Sequence, residues 1–305
     1  MPLTFTTKTR QAGHKRRLFS ALTLLGVVTA TLVLYAASRR APRQGLAAME
    51  GPDVGAVHVH GLGVDPRNDE LFAATHLGLL RIDTAGKATR VANRYQDTMG
   101  FTVLGPGRFV ASGHPDLREH RPVKLGLIES SDAGLTWVPR SLSGTADFHD
   151  LASSHGVIYG LDSASGTLMV TADMTRWDTR SVGGLRDIAV APDDANAVIG
   201  LTGHDVVASR DGGRTFAALP AAPALVLVAW GPEGVFGLTD SGDVYFSADD
   251  GQTWSPRGSV KGRPAAIAAG GSEIFAALED GVIVASADGA RTWNVRYRSR
   301  LASGG

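Results

Sequence analysis

The stretch SADDGQTW, residues 247–254, returns in three close variants along this chain. The variants are SSDAGLTW at 130–137, SRDGGRTF at 209–216 and SADGARTW at 286–293. The intervals between the four boxes, measured from Asp to Asp, are 79, 38 and 39 residues. The first interval is twice the others, and TADMTRW at 171–177 divides it with its Asp and Trp in register. A weaker sixth copy, RIDTAGKATRV, lies at 81–91, so the unit occurs six times.

Each repeat has the same internal order of short apolar segments. An apolar run such as HVHGLGVD or LRDIAVAP comes first, a second short strand follows, and a third strand leads into the box. A fourth strand comes after the box. Periods of this length are typical of propellers and solenoids, and four antiparallel strands with tight turns favour a propeller. We therefore predict an all-β six-bladed β-propeller over residues 57–300, closed by packing or by a strand from residues 49–56.

The repeated box resembles the Asp-box, or BNR repeat, of sialidase-like propellers. Its Asp can accept N–H groups of a hairpin turn, its Gly can adopt a positive φ, and its aromatic ring can wedge against a neighbouring blade. A residue set repeated around a ring cannot converge on one substrate, so we interpret the boxes as structural. The structural residues predicted are Asp132, Trp137, Asp173, Trp177, Asp211, Phe216, Asp249, Trp254, Asp288 and Trp293.

The first 56 residues differ in composition from the repeats. A basic segment at 1–17 precedes LFSALTLLGVVTATLVLYAA at 18–37, an uncharged run that as a helix would span about 30 Å. We predict a single-pass transmembrane helix here, with a cytoplasmic tail at 1–17, a linker at 38–56 and an extracytoplasmic propeller at the cell membrane. The alternative is a cleaved signal segment, which would leave the propeller exported.

Composition limits the chemistry of the chain. It has no cysteine, and its 30 basic residues balance its 30 acidic residues. Disulfides and thiolate chemistry are therefore excluded, and no basic domain suited to nucleic acid is present. The partners we expect are the membrane and either a glycan or small ligand, or a membrane protein.

Most histidines are predicted to share one rim of the propeller. In such blades the loops before the first strand and between the second and third strands lie on one face, and the boxes lie on the other. That rule places seven of the nine histidines on the face away from the boxes. The ligand-binding residues predicted for this rim are His58, His60, His76, His114, His149, Asp150, Asp187 and His204.

Three interpretations of the rim stay open from the sequence. They are solvated loop histidines, a polar ligand pocket with His and Asp as hydrogen-bonding or acid–base groups, and a metal site. The HVH segment places His58 and His60 on the same side of a strand, so these two and His149 are the candidate metal ligands. Imidazoles with a carboxylate suit a divalent transition metal, the one cofactor we consider.

The resemblance to sialidases also implies catalytic residues. That family carries an arginine triad, an Asp acid/base and a Tyr–Glu nucleophile pair, introduced by an F-R-I-P type motif that is absent here. For glycoside hydrolysis in general, a pair of carboxylates at a defined separation is needed. The candidate catalytic residues on the rim are Asp97, Asp150, Asp187, Tyr95, Arg94 and Arg186.

The sequence therefore supports three functional hypotheses. In the first, an anchored extracytoplasmic propeller binds a glycan or related ligand at a His/Asp-rich face of its central channel, with hydrolysis left open. The insertion HPDLREHRPVK, residues 114–124, would then act as a flap. In the second, the chain resembles the Asp-box propellers that assist assembly of membrane complexes, and its rim docks a protein. In the third, the rim binds a metal.

Overall fold

Six four-stranded sheets make up the computed structural model, which describes residue 56, residues 58–203 and residues 205–298. Each sheet contains four consecutive antiparallel strands, so that each repeat of the sequence forms one blade. The prediction of an all-β propeller with six four-stranded blades is confirmed. The box repeats were therefore sufficient to identify the fold.

Blades 1 to 3 occupy the first part of the described chain. Blade 1 contains β1 (Val59–Asp65), β2 (Glu70–Thr75), β3 (Gly78–Ile82) and β4 (Ala88–Arg90). Blade 2 contains β5 (Asp97–Gly105), β6 (Arg108–His114), β7 (Leu127–Ser130) and β8 (Val138–Ser141). Blade 3 contains β9 (Phe148–Ser154), β10 (Val157–Asp162), β11 (Thr167–Thr171) and β12 (Asp178–Val182). A short 3-10 turn, Val91–Asn93, links blades 1 and 2.

Blades 4 to 6 repeat this plan. Blade 4 contains β13 (Asp187–Val190), β14 (Val198–Leu201), β15 (Val206–Ser209) and β16 (Ala217–Ala218). Blade 5 contains β17 (Leu227–Gly231), β18 (Gly234–Leu238), β19 (Asp243–Ser247) and β20 (Ser255–Ser259). Blade 6 contains β21 (Pro264–Gly270), β22 (Glu273–Leu278), β23 (Ile283–Ser286) and β24 (Asn294–Tyr297).

The apolar residues of the strands are buried between neighbouring blades. The described residues form six clusters of buried apolar side chains, and each cluster joins two adjacent blades. Between blades 1 and 2, the ring of Phe109 lies edge-on to Phe72 (4.8 Å between centroids) and to Phe101 (5.5 Å). Burying one such side chain contributes about 1.5–3 kcal/mol, so these interfaces hold the ring together.

Blade 6 meets blade 1 by side-chain packing. Val59 and Leu62 of β1 share a buried cluster with Phe275 and Tyr297 of blade 6. Within the described ranges, no strand is exchanged between blades. Packing is therefore the mode of closure observed there, whereas most of the alternative strand, residues 49–55, lies outside the described part.

Each box forms the turn between the third and fourth strands of its blade. In blade 2, Ser130 Oγ donates to Asp132 Oδ1 (2.8 Å), and Thr136 donates its N–H to Oδ1 (2.9 Å) and its hydroxyl to Oδ2 (2.6 Å). Gly134 has a φ of 84°, which favours glycine, and a Cβ there would lie 2.5 Å from the side chain of Leu79. The Ser, Asp, Gly and Thr positions of the repeated box thus all stabilise the local structure of the turn.

The aromatic residue of each box packs toward the preceding blade. Trp137 lies with Leu79 and Val91 of blade 1, and Trp177 Nε1 donates to Ser141 Oγ of blade 2 (2.8 Å). The remaining aromatic residues share clusters with blades 3, 4 and 5 respectively; they are Phe216, Trp254 and Trp293.

The predicted transmembrane or signal segment at 18–37 lies outside the described residues. Among the residues that are described, no helix has the length and hydropathy needed to cross a membrane. The anchor therefore stays a prediction from the sequence.

Candidate functional site

The first strands of the six blades line a central channel of about 440 Å³. We call the end of this channel that lies away from the boxes the mouth. His60 and His149 line the channel, together with the carboxyls of Asp150 and Asp187. These four side chains are the ionisable groups of the channel lining in the described chain.

β-bulges place two of the mouth histidines. In β1, Val59 pairs with Thr75 and Gly61 pairs with Ala74, which leaves His60 as the extra residue. In blade 3, a corresponding irregularity between β9 and β10 leaves His149 without a strand partner. Because a bulge turns its side chain away from the regular alternation, both imidazoles are free to face neighbouring loops.

Mouth cluster 1 consists of His60, His76 and Asp97. His76 follows β2, and Asp97 begins the first strand of the next blade. The distances are 2.7 Å from His76 Nδ1 to Asp97 Oδ1, 3.2 Å from His60 Nε2 to His76 Nδ1, and 3.7 Å from His60 Nε2 to Asp97 Oδ1. One potential ligand atom from each residue lies within 4.8 Å of the other two, a spacing that could hold a metal ion.

Burial keeps His60 in its neutral form. Its side chain is 19% exposed, and desolvation followed by the neighbouring His76 lowers its pKa from 6.5 to about 4, against the opposing effect of Asp97. The ring of His58 lies beside this cluster, 5.0 Å between centroids from His76. His58 precedes β1 and has a φ of 49°, so the simple alternation expected for the HVH segment does not apply.

Mouth cluster 2 consists of His114, Asp147 and His149. Oδ2 of Asp147 lies 3.2 Å from His149 Nε2 and 3.7 Å from His114 Nε2. Nδ1 of His114 lies 2.9 Å from the carbonyl oxygen of Val123 and donates to it, which leaves Nε2 as the unprotonated nitrogen of the neutral ring. Asp147 is 7% exposed, and its Oδ1 is buried without a hydrogen-bond partner among the described residues.

The two clusters lie side by side at the mouth. Asp97 of cluster 1 is the cross-strand partner of His114 of cluster 2. His149 is also among the groups that lower the pKa of His60. Blades 1 to 3 therefore carry a continuous band of imidazoles and carboxylates.

Asp150 and Asp187 form a third polar group deeper in the channel. Asp150 accepts the backbone N–H of Ile188 in the next blade (2.7 Å), and Asp187 accepts that of Val228 in the blade after it (2.6 Å). Burial raises the pKa of Asp150 to about 6, and burial and the Asp150 carboxylate raise the pKa of Asp187 well above its ordinary value. The two carboxyls lie within hydrogen-bonding reach of each other, so the one that keeps its proton can donate to the other. Glycosidase carboxyls stand about 5–9.5 Å apart, so this contact pair lacks the separation for that reaction.

The other predicted catalytic residues do not join these clusters. Arg94 pairs with Glu119 of the insertion (3.3 Å), and Arg186 is exposed. The ring of Tyr95 lies beneath two guanidinium groups, with 3.8 Å from Arg90 Cζ to the ring centroid and 4.9 Å from Arg118 Cζ. Their positions give no arginine triad around a common point.

The insertion packs on the blade 1–blade 2 linker. Asp116 accepts the N–H of Tyr95 (2.8 Å) and is paired with Arg118, whose hydrogen bonds hold the pKa of the Asp116 carboxyl well below its usual range. Residues 114–118 border a cleft of about 520 Å³ that also contains His76 and Asp97. The channel lining contains no insertion residue in the described chain, so the segment flanks the mouth instead of covering the channel as a flap.

The structure regroups the residues predicted for the rim. The three suggested metal ligands are divided, with His58 and His60 near cluster 1 and His149 in cluster 2. His204 lies outside the described residues. Sequence reasoning missed Asp147, although Asp147 and His149 flank Phe148 in the same i, i+2 relation as His58 and His60 flank Val59.

Comparisons with known proteins agree with the architecture. The family model of the BNR/Asp-box repeat matches residues 245–256. A search of curated proteins gives no match. Among solved structures, a chain of a nidogen/laminin complex has a TM-score of 0.59 at 10% identity, covering 76% of this chain and 94% of that one.

Two further structures link the fold to different activities. YCF48 bound to a D1 peptide has a TM-score of 0.51 at 13% identity, covering 81% of this chain and 83% of that one. A GH74 enzyme from Niastella koreensis has a TM-score of 0.55 at 13% identity, covering 81% of this chain but only 46% of the enzyme. At these identities the likeness concerns the fold alone. The repeat matched by this family model and the six four-stranded blades together show a six-bladed β-propeller that carries a BNR/Asp-box repeat.

Proposed function

We propose that this protein is a membrane-anchored, extracytoplasmic propeller that binds a divalent transition-metal ion at mouth cluster 1. The observation that carries the proposal is the convergence of His60, His76 and Asp97 from three different segments on one point. The predicted anchor at 18–37 would hold this site on the outer side of the cell membrane.

The spacing of the donor atoms suits a small metal ion. Metal–ligand bonds of about 2.0–2.1 Å in a tetrahedral site place neighbouring ligand atoms about 3.4 Å apart. His60 Nε2 lies 3.2 Å from His76 and 3.7 Å from Asp97, close to that value. The 2.7 Å contact between His76 Nδ1 and Asp97 is a hydrogen bond, so it would have to open for both atoms to bind the metal, with the ring proton of a neutral His76 then carried on Nε2.

The donor set favours a borderline transition metal over calcium or magnesium. Two imidazole nitrogens and one carboxylate oxygen suit Zn²⁺, Cu²⁺, Ni²⁺ or Fe²⁺. Calcium and magnesium prefer sites built wholly from oxygen ligands. Asp97 and His76 are partly exposed, which leaves room for water or a further ligand such as His58.

Zinc-dependent stabilisation tests this proposal. The full-length chain, stripped with a chelator, is expected to melt at a higher temperature when Zn²⁺ is added, because a ligand at 100 times its Kd stabilises the folded state by about 2.7 kcal/mol. The double variant His60→Ala/His76→Ala should lose the part of the shift due to cluster 1. His155→Ala, on the box face, is the matched control and should keep the whole shift. A double variant with the full wild-type response to Zn²⁺ would contradict the proposal.

A second candidate function, docking of a protein partner, is favoured by exposed apolar residues beside the same mouth. Leu117 is 100% exposed and Val123 is 74% exposed, both on the insertion, and Leu77 and Tyr95 border the adjoining cleft. Large apolar side chains exposed together are typical of interaction surfaces. YCF48, of similar fold, has been solved with a peptide. Crosslinking in cells, compared between the wild type and Leu117→Asp/Val123→Asp, tests this function, because loss of a specific adduct is expected.

Glycan binding in the channel, the first hypothesis from the sequence, keeps the support of the fold it shares with GH74 enzymes. The hydrogen-bonded pair Asp150–Asp187 does not supply the carboxylate separation of glycoside hydrolysis. We therefore place metal binding before glycan hydrolysis.

A further inference from the structure

Mouth cluster 2 repeats the design of mouth cluster 1 at the next blade junction. His76 and His114 both stand at the end of the second strand of their blade, and Asp97 and Asp147 both stand where the first strand of the next blade begins. The third member of each cluster, His60 or His149, occupies a bulge in a first strand. His60 belongs to the same blade as His76, whereas His149 belongs to the blade after that of His114, so two of the three positions in each cluster are equivalent.

We infer that His114, Asp147 and His149 form a second binding site for a divalent transition-metal ion, distinct from mouth cluster 1. This extends the proposed function from one ion to two, and its residues are different, so either site can be tested without the other. The distances from Asp147 Oδ2 to the two imidazole nitrogens, 3.2 and 3.7 Å, lie on either side of the roughly 3.4 Å expected between tetrahedral ligands.

His114 is already oriented for metal binding. Its Nδ1 donates to the carbonyl of Val123, and Nε2 is left with a lone pair on the side of Asp147. Metal-bound histidines usually donate their other ring N–H to a carbonyl or carboxylate, which fixes the ring and its tautomer. The ionised Asp147 carboxylate only accepts hydrogen bonds, and it lies 3.7 Å from Nε2, so it donates nothing to this lone pair.

Asp147 is a buried carboxylate that lacks a strong cation partner. Its ion pairs in the described chain are to His114 and His149 alone, with no Lys or Arg, and its Oδ1 has no hydrogen-bond partner. A buried carboxylate oxygen that has lost its water and gained no hydrogen bond destabilises the folded protein. A divalent cation would neutralise this charge, whereas a purely structural carboxylate would be expected to accept N–H groups, as the box aspartates do.

The backbone around Asp147 is fixed independently of any ion. The N–H of Asp147 donates to Asp162 Oδ1 (2.7 Å), and its carbonyl accepts the N–H of Ser163 (3.0 Å). The histidines are more open, with side chains 36% exposed for His114 and 42% for His149. Within the described chain, only cluster 1 brings all three ligand atoms within 4.8 Å of one another, so at cluster 2 an exposed imidazole must turn toward the other for one ion to bind all three residues.

Counting the ions tests the inference. The full-length chain is stripped with a chelator, dialysed against Zn²⁺ and analysed for zinc per chain. We expect two ions in the wild type and two in the control His155→Ala. Each of the double variants, His114→Ala/Asp147→Asn and His60→Ala/His76→Ala, should bind one ion. The fourfold variant should bind none. Far-UV circular dichroism in chelator shows whether each variant is folded, and His149→Ala alone, expected to weaken zinc binding at this site by 10-fold or more, serves if Asp147→Asn does not fold.

The variants separate the two proposals. Zinc content that is unchanged in both His114→Ala/Asp147→Asn and His149→Ala overturns the second site, whatever the other variants show. One ion that is lost in His60→Ala/His76→Ala but kept in His114→Ala/Asp147→Asn likewise leaves cluster 1 alone. One ion that is lost in His114→Ala/Asp147→Asn but kept in His60→Ala/His76→Ala supports the second site and overturns cluster 1. One ion lost in both variants means a single shared site and overturns the inference of two.

Discussion

The aspartate side chains on the two faces of this propeller have opposite hydrogen-bonding surroundings. On the box face, each carboxylate is held in its own turn by nearby N–H and hydroxyl donors, and hydrogen bonds from Thr215 hold the pKa of Asp211 at about 2. At the mouth and in the channel, carboxylates contact groups from other blades. Asp147 faces two imidazoles, and Asp187 faces Asp150, which raises its pKa.

The difference distinguishes residues that build the ring from residues that can bind a ligand. A box is repeated in most blades and is satisfied within eight residues, so it needs nothing from outside. The residues of the two mouth clusters and of the channel pair come from blades 1 to 4. Their contacts cross blade boundaries and leave one buried carboxylate oxygen of the described chain, Asp147 Oδ1, without a donor. Residues that recur in most blades and form all their hydrogen bonds within one turn thus indicate a structural role. Residues that occur in only some blades and lack hydrogen-bond partners indicate a binding site.

The largest effect that we expect is a loss of folding stability caused by a substitution on the box face. Trp137 is 6% exposed and fills the interface between blades 1 and 2. Trp137→Ala should lower the free energy of unfolding by about 3–5 kcal/mol, because it leaves a large cavity there. Denaturant unfolding of the metal-free protein, followed by circular dichroism, measures the change.

The matched variant on the mouth is His76→Asn. Because this side chain is partly exposed and its contacts are to other mouth residues, the free energy of unfolding should change by only about 0.5 kcal/mol. If His76→Asn destabilised the metal-free protein as much as Trp137→Ala does, the division between the two faces would be wrong.

The second prediction concerns the pH dependence of stability and uses the channel pair. A carboxyl whose pKa is higher in the folded than in the unfolded state stabilises the fold at pH below its unfolded pKa. That contribution is lost as the pH rises through the folded-state pKa. The pKa of Asp187 is raised well above its unfolded value of 3.8, so the free energy of unfolding should fall as the pH rises above about 4.

Asp187→Asn separates this contribution from other titrations. The amide can still accept the N–H of Val228 and donate to Asp150, but it does not titrate. His60, whose pKa is lowered, acts in the opposite direction over an overlapping range, so the wild-type and variant curves are compared in chelator and subtracted. Asp69→Asn, at an exposed position, is the control. Parallel curves for the wild type and Asp187→Asn would exclude this role for the pair.

The sequence predicted the fold and the face of the site but not its contacts. Boxes about 40 residues apart identify the blades, and strand order alone assigns His76 and His114 to one rim. The groupings depend on bulges at His60 and His149, which place one extra residue against a regular strand and change the direction of both side chains. No periodic pattern in the sequence predicts such bulges. The alternation expected from HVH therefore could not show which imidazoles contact each other.

The carboxylates show the same limit. Asp150 and Asp187 occupy the same position in blades 3 and 4, as HDL and RDI, and this equivalence was sufficient to predict that they are neighbours. Asp147 carries only the i, i+2 spacing to His149, and its backbone is held by Asp162 at the end of β10, a contact that the sequence pattern does not reveal.

The smallest effect that we expect tests whether the hydrogen bonds of a box act only within their own turn. Ser130 is buried at 1% exposure, and its hydroxyl donates to Asp132 and accepts the N–H of Gly134. Ser130→Ala should therefore cost about 1 kcal/mol of unfolding free energy, because it removes one net hydrogen-bonded link and leaves the Gly134 N–H unsatisfied. Zinc binding at the mouth should be unchanged, since no hydrogen bond of this box reaches the mouth. Ser143→Ala, an exposed position in the linker to blade 3, is the control and should leave both measurements as in the wild type. A change of zinc affinity in Ser130→Ala without a comparable loss of stability would mean that the boxes influence the mouth, and the two faces could not be treated as independent.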